Sequence, residues 1–466
     1  MRFVPYDYQR RAITFVKAHR EAALFMGCGL GKSVVTLTAV RELIDECEVE
    51  RVLVVAPKKV AESTWGAEAA KWDHLRGLRV SLVTGDARRR TAALERAADV
   101  YVTSRDLFAW VTAQGTWRFD MLVLDELTSF KNSASVRFKA LRRVRRKTER
   151  VVGLTGTPAP NGLKDLWAQM WCVDMGRTLG PFKGRFLDTY FDTYRRNNIP
   201  LRITPKPGAE EAIYAKIAPE VLTMTAEDWL ELPPMMVQTV AVRLSEEVMA
   251  RYRAFERERV LFASEKLRED GRPSVVAANA AALCGKLCQF ASGAVYEDDG
   301  TTLAVHGELM EALMELLESA AAGGEHVLVF YQFRHEWERF EPMGRRAGWR
   351  IRKYEGDADL RAWNAGEVDV LFAHPASTAY GLNLQEGGHV AVWLGTGFNA
   401  EQYVQGNARL HRQGQTQPTR VYNLVAAGTA TEYAAGVVAG KVDAQDAMIN
   451  FLKSKIHEEE VREHHE

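Results

Sequence analysis

The sequence has no excess of charge of either sign. Its 466 residues include 61 Lys and Arg and 61 Asp and Glu, so the formal net charge at pH 7 is zero. A protein that binds a polyanion over much of its surface carries a positive excess, because its phosphate contacts use cations. Such a surface is therefore excluded, and any nucleic-acid site must be a local patch.

Cysteines and long apolar runs are also scarce. The chain has five cysteines, an odd number, and they lack the spacing of a zinc knuckle. This pattern indicates free thiols in a reducing compartment. No apolar run approaches the roughly 20 residues that a membrane helix needs, and the first residues lack the pattern of a signal peptide. We therefore expect a soluble, cytoplasmic protein without a membrane partner.

Short apolar runs alternate with helical stretches in two regions of the chain. The first region holds AALFM, RVLVVAP, RVSLVTG, DVYVTS, DMLVLDE and RVVGLTGT, and the second holds HVLVFY, DVLFAHP, HVAVWLG and TRVYNLV. Strands that alternate with helices form parallel sheets covered on both faces. Between the two regions, SEEVMARYRAFERERVLFASEKL is typical of a long helix. The sequence thus predicts an α/β protein with two tandem parallel-sheet lobes and a helical insertion between them.

These patterns divide the chain into four predicted parts. An N-terminal lobe that binds nucleotide spans residues 1–170, and a connecting and helical insertion region spans 171–300. A C-terminal lobe follows over 301–445, and a charged tail occupies 446–466. The tail ends in HEEEVREHHE, which we expect to be solvated.

A glycine-rich turn in the sequence LFMGCGLGKS separates the first apolar run from a helix. Such a turn leaves backbone N–H groups free to bind phosphates at a helix N-terminus, where the helix dipole favours negative charge. Lys32 would then reach the β and γ phosphates of ATP, and the Ser33 hydroxyl would bind Mg²⁺. The glycines that shape the turn are Gly27, Gly29 and Gly31.

The run DMLVLDE ends in two carboxylates. Mg²⁺ bound to ATP needs a carboxylate near it, and hydrolysis needs a group that orients or deprotonates water. Asp125 fits the first role and Glu126 the second. A strand that ends in acidic residues is common by itself, so this interpretation depends on the glycine-rich turn about ninety residues earlier.

Two further segments suggest parts of a nucleotide site. In YDYQRRAI, the amide of Gln9, beside Tyr8, can both accept from adenine N6 and donate to N7; the alternative is an ordinary surface polar pair. In GLTGTPAPN, Thr155, Gly156 and Thr157 form a turn suited to coupling the carboxylates to the other lobe. The alternative there is a turn that caps the next helix.

The stretch SVRFKALRRVRRKTER holds eight basic residues and one acidic residue. Apolar side chains recur every three residues, so one face can pack inward while Arg142, Arg143, Arg145 and Arg146 point outward. A surface of this kind binds the nucleic-acid backbone without reading sequence, with an affinity that depends on salt. The alternative is a solvated basic helix.

Taken in order, these motifs resemble one family. The segments YDYQ, GCGLGKS, LDELTSFKN, GLTGTPAPN, VLVFYQF and QGNARLHRQGQ are similar to those of superfamily-two helicases of the DEAD/DEAH-box type, in the Swi/Snf-like branch of double-stranded DNA translocases. The compact form resembles proteins carried by bacteriophages and prophages. The resemblance implies two RecA-like lobes of the P-loop NTPase fold, ATP and Mg²⁺ as cofactors, and a bacterial or phage-infected cell.

The resemblance also assigns roles to the segment QGNARLHRQGQ. It implies that Arg409 and Arg412 act as arginine fingers on ATP held by the first lobe, and that Gln405 supports them. An arginine finger of this kind raises the kcat of hydrolysis by a factor of about 10³ to 10⁵. The catalytic set is thus Lys32, Asp125, Glu126 and the two arginines. Further DNA-backbone contacts are implied for Lys58, Lys59, Thr103, Ser104, Tyr331, Gln332 and Ser377.

The function predicted from these observations is an ATP-driven motor that translocates on or remodels double-stranded DNA. One alternative is a helicase that separates the strands of DNA or RNA, with a wedge formed by an aromatic hairpin between residues 171 and 235. Another is a nucleotide-gated clamp that binds DNA and recruits a nuclease or replication protein. Partners from phage or host replication, recombination or nuclease systems fit each of these hypotheses.

Overall fold

The structure is a computed structural model, and its chain divides into two compact units, Met1–Glu231 and Leu232–Glu466. Each unit has its own sheet and its own core. The structure describes residues 1–27, 29–115, 117–156, 158–159, 162–196, 199–225, 229, 232–269, 273–378, 382–440 and 444–463.

A parallel sheet organises the first unit. Its strands, as far as the structure describes them, are β1 Glu21–Met26, β2 Val52–Ala56, β3 Val80–Val83, β4 Val100–Ser104, β5 Met121–Asp125, β6 Arg150–Thr155 and β9 Val221–Met224. The strand order is β3-β4-β2-β5-β6-β1-β9, and the paired strands run parallel. A separate antiparallel hairpin consists of β7 Phe191–Arg196 and β8 Ile199–Pro205.

Helices connect these strands, as the alternating sequence pattern requires. They are α1 Asp7–Ala18, α2 Lys32–Asp45, α3 Lys58–Lys71, α4 Ala87–Glu95, α5 Phe108–Thr112, α6 Val136–Val144, α7 Leu166–Asp174, α8 Lys183–Tyr190 and α9 Ala209–Ile217. All residues of β2 and β4 are buried, which is why these strands are continuous apolar runs rather than alternating ones.

The strand order determines where the polar residues of the first unit meet. Strands β5, β6 and β1 are neighbours in the sheet. Because parallel strands end at one edge, the residues that follow them lie side by side. The glycine-rich turn follows β1, Asp125 ends β5, and Thr155 ends β6 and pairs in register with Phe25.

The second unit contains another parallel sheet. Among its described residues the strands are β10 Met235–Val242, β13 Val327–Tyr331, β14 Ile351–Lys353, β15 Val370–Ala373, β16 Val390–Leu394 and β17 Thr419–Ala426. Their order is β10-β17-β16-β13-β15-β14, and every pair is parallel. A short antiparallel pair, β11 Ala294–Tyr296 and β12 Thr302–Ala304, lies outside this sheet.

The helices of the second unit surround its sheet and form a small bundle. They are α10 Glu246–Glu269, α11 Pro273–Ala291, α12 Glu308–Ala322, α13 Arg334–Arg346, α14 Asp357–Asn364, α15 Pro375–Thr378, α16 Ala400–Asn407, α17 Ala430–Ala439 and α18 Ala444–Glu463. Helices α10, α11 and α18 share an apolar cluster that includes Tyr252, Leu287, Phe451 and Leu452. Much of the segment predicted as a charged tail is therefore a helix anchored by buried side chains.

The predicted fold class is confirmed, because both units are parallel-sheet α/β structures in tandem. Each apolar run named from the sequence lies in a strand of one of the two sheets. The three boundaries between the predicted parts, at residues 170, 300 and 445, stay a prediction. The two long helices α10 and α11 fall within the region predicted as a helical insertion.

Candidate nucleotide site and arginine motif

The glycine-rich turn has the backbone conformation that its sequence predicts. Gly29 and Gly31 have φ angles of 87° and 78°, a left-handed region that favours glycine. Helix α2 begins at Lys32 immediately after Gly31. The turn is also fixed to the sheet, because the Gly27 N–H donates to the Met224 carbonyl of β9 at 2.9 Å. Backbone N–H groups at the start of α2 can therefore face a phosphate.

Lys32 lies against this turn. Its Nζ donates to the carbonyl of Met26 at 2.9 Å and to that of Gly27 at 3.3 Å. The side chain is half-buried, and so is that of Ser33. An ammonium held at the turn is suited to neutralise phosphate charge there. The hydroxyl of Ser33 is an oxygen ligand of the kind that Mg²⁺ prefers.

Gln9 is bonded to the glycine-rich turn. Its Nε2 donates to the Leu30 carbonyl at 3.3 Å, and its Oε1 accepts from the Tyr6 N–H at 3.1 Å. A Cβ added to Gly31 would lie only 2.8 Å from Gln9 Nε2, so a larger residue at position 31 would displace the amide. Gln9 is therefore a buried support of the turn, not a surface polar residue.

Tyr8 is 1% exposed and lies in the core beside Gln9. Its ring stacks on Tyr6 with centroids 5.7 Å apart and packs against Trp229 at 6.0 Å. Burial raises the pKa of its hydroxyl to about 12. Its Oη has no hydrogen-bond partner among the described residues. The nucleotide-binding role of Tyr8 stays a prediction.

Asp125 has a partner that the sequence did not reveal. The indole Nε1 of Trp65, a fully buried side chain of α3, donates to Asp125 Oδ2 at 2.9 Å. Burial raises the pKa of Asp125 to about 6; neighbouring Glu126 acts in the same direction, and the Trp65 bond and the Lys32 ammonium oppose it. Asp125 and Lys32 therefore interact, although they are 93 positions apart in the sequence.

Glu126 has an unusual backbone conformation for a residue with a side chain. Its φ is 60°, in the left-handed region, which costs on the order of 1 kcal/mol or more in a non-glycine residue. Its Oε1 accepts from the hydroxyls of Thr128 at 3.0 Å and Thr155 at 3.3 Å. Residues held in strained conformations are often found at functional sites. Two hydroxyls thus fix the carboxylate predicted to act on water.

The turn after β6 is linked to this carboxylate through Thr155. The bond from Thr155 to Glu126 joins two of the motifs that the sequence placed near each other. Gly156 follows directly and is half-buried. Thr157, the third residue predicted to couple the carboxylates, lies outside the described residues. The coupling role of all three stays a prediction.

In the second unit, the segment QGNARLHRQGQ begins in the last turn of α16 and is fixed by its own polar residues. Gln415 is buried, and its Nε2 donates to the carbonyls of Gly388 at 3.1 Å, Leu410 at 3.3 Å and Gln385 at 3.4 Å. Asn407 accepts from the Trp393 indole at 2.9 Å. Sequence reasoning missed both of these residues, which hold the segment to the sheet.

The two arginines of this segment differ in their surroundings. Arg409 is 8% exposed, whereas Arg412 is half-buried, and its Nη1 donates to the Leu382 carbonyl at 3.1 Å. Gln405 was predicted to support them, and its Nε2 donates to Glu401 within the same helix at 3.3 Å. The predicted roles of these three residues in catalysis are not tested by this geometry and stay predictions.

The basic helix contains one clear correction. Arg142, Arg143 and Arg146 are exposed as predicted, but the prediction that Arg145 points outward is wrong. Arg145 is 1% exposed, and its Nη2 donates to Glu21 Oε1 at 2.5 Å and to the Val173 carbonyl. Helix α6 ends at Val144, and Arg145 begins a 3-10 turn, so the helical periodicity no longer applies to it. Arg145 is therefore a structural residue of the interior.

The other predicted DNA contacts also differ in exposure. Lys58 and Lys59, the first residues of α3, are exposed. Thr103, Ser104 and Tyr331 are buried at the ends of their strands, and the Thr103 hydroxyl donates to the Val83 carbonyl at 3.0 Å. Gln332 and Ser377 are half-buried. The two lysines are thus the members of this set that are most accessible to a backbone phosphate.

We expect replacement of Arg145 by methionine to lower the free energy of unfolding by about 3 kcal/mol. The change would leave the Cys172 carbonyl without the donor that now lies 2.9 Å away, and would leave the half-buried carboxylate of Glu21 with Arg177 as its one remaining arginine partner among those described. Urea unfolding followed by circular dichroism measures the effect. Arg146→Met, at an exposed neighbour, is the control, and equal stability of the two variants would contradict this account.

Comparison with known proteins gives consistent results. A family model for the SNF2-related domain matches residues 8–279. Protein p41 of Acyrthosiphon pisum secondary endosymbiont phage 1 is 34% identical over 479 residues, covering 97% of this chain and 99% of that protein. The transcription regulatory protein SNF2 of Saccharomyces cerevisiae is 23% identical over 91% of this chain, which spans 26% of that protein's length.

Similar solved structures and longer relatives complete the comparison. The Sulfolobus solfataricus SWI2/SNF2 ATPase core in complex with dsDNA aligns with a TM-score of 0.47 at 20% identity, covering 94% of this chain and 92% of that one. The chain spans 34% of the CHD3-type chromatin-remodeling factor CHR7 of Arabidopsis thaliana, at 24% identity.

Across the described residues, no helix combines the length and the apolar character needed to cross a membrane.

Proposed function

Because the chain belongs to the SNF2-related family, we propose that it is an ATP-driven motor that translocates on or remodels double-stranded DNA. ATP hydrolysis is its chemistry. The observation that carries the proposal is the meeting of the glycine-rich turn, Lys32, Asp125 and Glu126 at one edge of the first sheet. Phosphate-binding backbone, a cation and two carboxylates at one sheet edge are the parts that phosphoryl transfer from ATP requires.

The residues of this edge can be assigned to steps of hydrolysis. The oxygen of water forms a bond to the γ phosphorus, and the bond from that phosphorus to the bridging oxygen breaks, which releases ADP and phosphate. Glu126 orients the water and accepts its proton, and Lys32 neutralises charge on the phosphates. Ser33 and Asp125 offer oxygen ligands that fit Mg²⁺. When bound, Mg²⁺ neutralises charge on the phosphates.

Arg409 and Arg412 complete the proposed catalytic set from the second unit. A guanidinium that reaches the transferring phosphoryl group stabilises the charge that develops on it. The bonds of Arg412 to the Leu382 carbonyl and of Gln415 to three carbonyls support this role, because they hold the segment in one conformation. We propose that hydrolysis then depends on the arrangement of the two units, which would couple ATP to movement on DNA.

The decisive experiment is steady-state ATP hydrolysis with double-stranded DNA, single-stranded DNA, RNA or no nucleic acid, together with displacement of a triplex-forming strand from duplex DNA. We expect strong stimulation by the duplex and ATP-dependent triplex displacement. Stimulation without displacement would instead support a clamp that binds DNA and recruits a partner. Equal hydrolysis with and without every nucleic acid would contradict the coupling of ATP to DNA.

One structural feature favours a strand-separating helicase as a second candidate. The antiparallel hairpin of β7 and β8 lies within the region where the sequence predicted that an aromatic wedge could occur, although Phe191 at its start is buried in the core and is not the wedge residue. A wedge of this kind separates bases at a duplex end. Unwinding of a tailed duplex would support this candidate, whereas triplex displacement without unwinding would support the translocase.

The exposed arginines of the basic stretch provide a test of the DNA surface. We expect the triple change Arg142→Gln, Arg143→Gln and Arg146→Gln to weaken the salt dependence of DNA binding. The magnitude of the slope of log affinity against log salt concentration should fall by up to about three, because each lost phosphate contact removes about one released counterion. Fluorescence anisotropy with a labelled duplex at several salt concentrations measures the slope. The double change Arg345→Gln and Arg346→Gln, on α13, is the control, and an unchanged slope in the triple variant would exclude this surface.

A further inference from the structure

Helix α3 carries two exposed lysines at its start and a buried tryptophan near its middle. Lys58 and Lys59 are its first two residues and are exposed, whereas Trp65 is 0% exposed. Lys58 and Trp65 are seven positions apart, about two helical turns, so they lie on nearly the same side of the helix. The helix begins just after β2, at the sheet edge that holds the nucleotide site. One rigid element thus carries both features.

The side chain of Trp65 connects α3 to a strand next to those on which the helix mainly packs. Helix α3 packs against β2, β3 and β4, and β5 is the next strand beyond β2 in the sheet. The indole Nε1 nevertheless donates to Asp125 Oδ2, at the end of β5, at 2.9 Å. Helical side chains point toward the N-terminus of their helix, which here is the direction of the nucleotide site. The bond therefore joins α3 to one of the two carboxylates of that site.

This bond is sensitive to the position of α3. A donor and an acceptor more than about 3.5 Å apart no longer form a hydrogen bond, so a shift of the helix by about 1 Å along its axis is enough to break it. Asp125 also accepts from the backbone N–H of Glu126, so it would change its orientation without losing every donor. Packed helices transmit small shifts of this kind between sites. A force on the start of α3 can thus reach the carboxylate.

We propose that Trp65 is a positioning residue that couples duplex binding at the start of α3 to ATP hydrolysis. Backbone phosphates bound by Lys58 and Lys59 shift the helix, and the indole bond carries this shift to Asp125. The inference rests on the proposed function, because it requires that the lysines bind DNA and that Asp125 serves hydrolysis. It adds a path between the two within the first unit, separate from the arginines of the second unit.

Trp72 provides a matched control on the same helix. It follows the last residue of α3 and is half-buried, and its Nε1 donates to Glu68 Oε2 at 2.7 Å. Trp72→Phe therefore removes an indole bond to a carboxylate, as Trp65→Phe does, and both changes keep an aromatic ring. The acceptor of Trp72 belongs to α3 itself. Only the change at position 65 breaks a link from the helix to β5.

The test measures a stimulation ratio, which is the kcat of ATP hydrolysis at saturating duplex DNA divided by the kcat without nucleic acid. Trp65→Phe should lower this ratio by about tenfold or more, because a hydrogen bond to a charged group contributes about that much. Trp72→Phe should leave the ratio unchanged. The double change Lys58→Gln and Lys59→Gln should also lower it, and adding Trp65→Phe to that pair should lower it no further, because both changes interrupt one path.

Two results would overturn the inference alone: equal ratios for Trp65→Phe and Trp72→Phe, or losses from Trp65→Phe and from the lysine changes that multiply. A ratio of one in the unaltered chain would overturn the proposed function and this inference with it. Thermal unfolding of each variant shows whether it is folded.

Hydrogen exchange of the unaltered chain decides the matter if Trp65→Phe does not fold. Binding of the duplex should change the exchange of the amides of residues 125–130, which end β5 and follow it. The double change Lys58→Gln and Lys59→Gln, at two exposed positions, should abolish this effect. Unchanged exchange over 125–130 in the unaltered chain would contradict a path from α3 to Asp125.

Discussion

Replacement of Arg412 by alanine is expected to lower the kcat of duplex-stimulated ATP hydrolysis by about 10³ to 10⁵, while ATP binding changes little. The reason is that an arginine finger acts mainly on charge that develops in the transition state. Arg412 is the better of the two arginines for this test. It is half-buried, whereas Arg409 is 8% exposed and its loss would also disturb packing.

Three companion measurements separate this role from a loss of structure. Arg412→Lys keeps the charge but not the planar fork, so we expect it to recover only part of the rate. Arg346→Ala, at an exposed arginine of α13, should hydrolyse ATP like the unaltered chain. Affinity for a fluorescent ATP analogue should stay within a few-fold in all three variants. A kcat for Arg412→Ala within tenfold of the original would contradict the finger role.

The sequence predicted the strands and the phosphate-binding turn well for a physical reason. Strands buried on both faces are continuous apolar runs, as in β2, where no position is exposed. The left-handed conformations of Gly29 and Gly31 follow from residue type, because glycine adopts them at little cost. Features that are local in the chain could therefore be predicted from the chain alone.

Contacts between distant residues could not be predicted in this way. The bond from Trp65 to Asp125 joins α3 to the end of β5, and no spacing in the sequence indicates it. Arg145 is a second case, because it would point outward only if α6 continued past Val144. Once the helix ends there, the side chain turns inward to Glu21, a residue 124 positions earlier. Both cases depend on the tertiary structure rather than on local pattern.

Replacement of Glu126 by glutamine is expected to lower ATP hydrolysis by about 10² to 10⁴ and to leave ATP binding intact. A glutamine Oε1 can still accept from the hydroxyls of Thr128 and Thr155, which now lie 3.0 and 3.3 Å from the glutamate oxygen. The side chain would therefore keep its position. An amide is not basic enough to take a proton from water. General acid–base catalysis contributes a factor of about 10² to 10⁴ to a reaction rate, which is the loss expected here.

Control variants distinguish a chemical role of the Glu126 side chain from a structural one. Glu149→Gln, at an exposed glutamate of the same unit, removes the same charge elsewhere and should not change the rate. Thr155→Val removes one of the two hydroxyls that hold Glu126, so we expect an intermediate loss in kcat, and Thr155→Ser should restore the rate because it returns the donor. Full activity of Glu126→Gln would show that another group accepts the proton. Loss of ATP binding together with hydrolysis would show that Glu126 supports the site instead of acting on water.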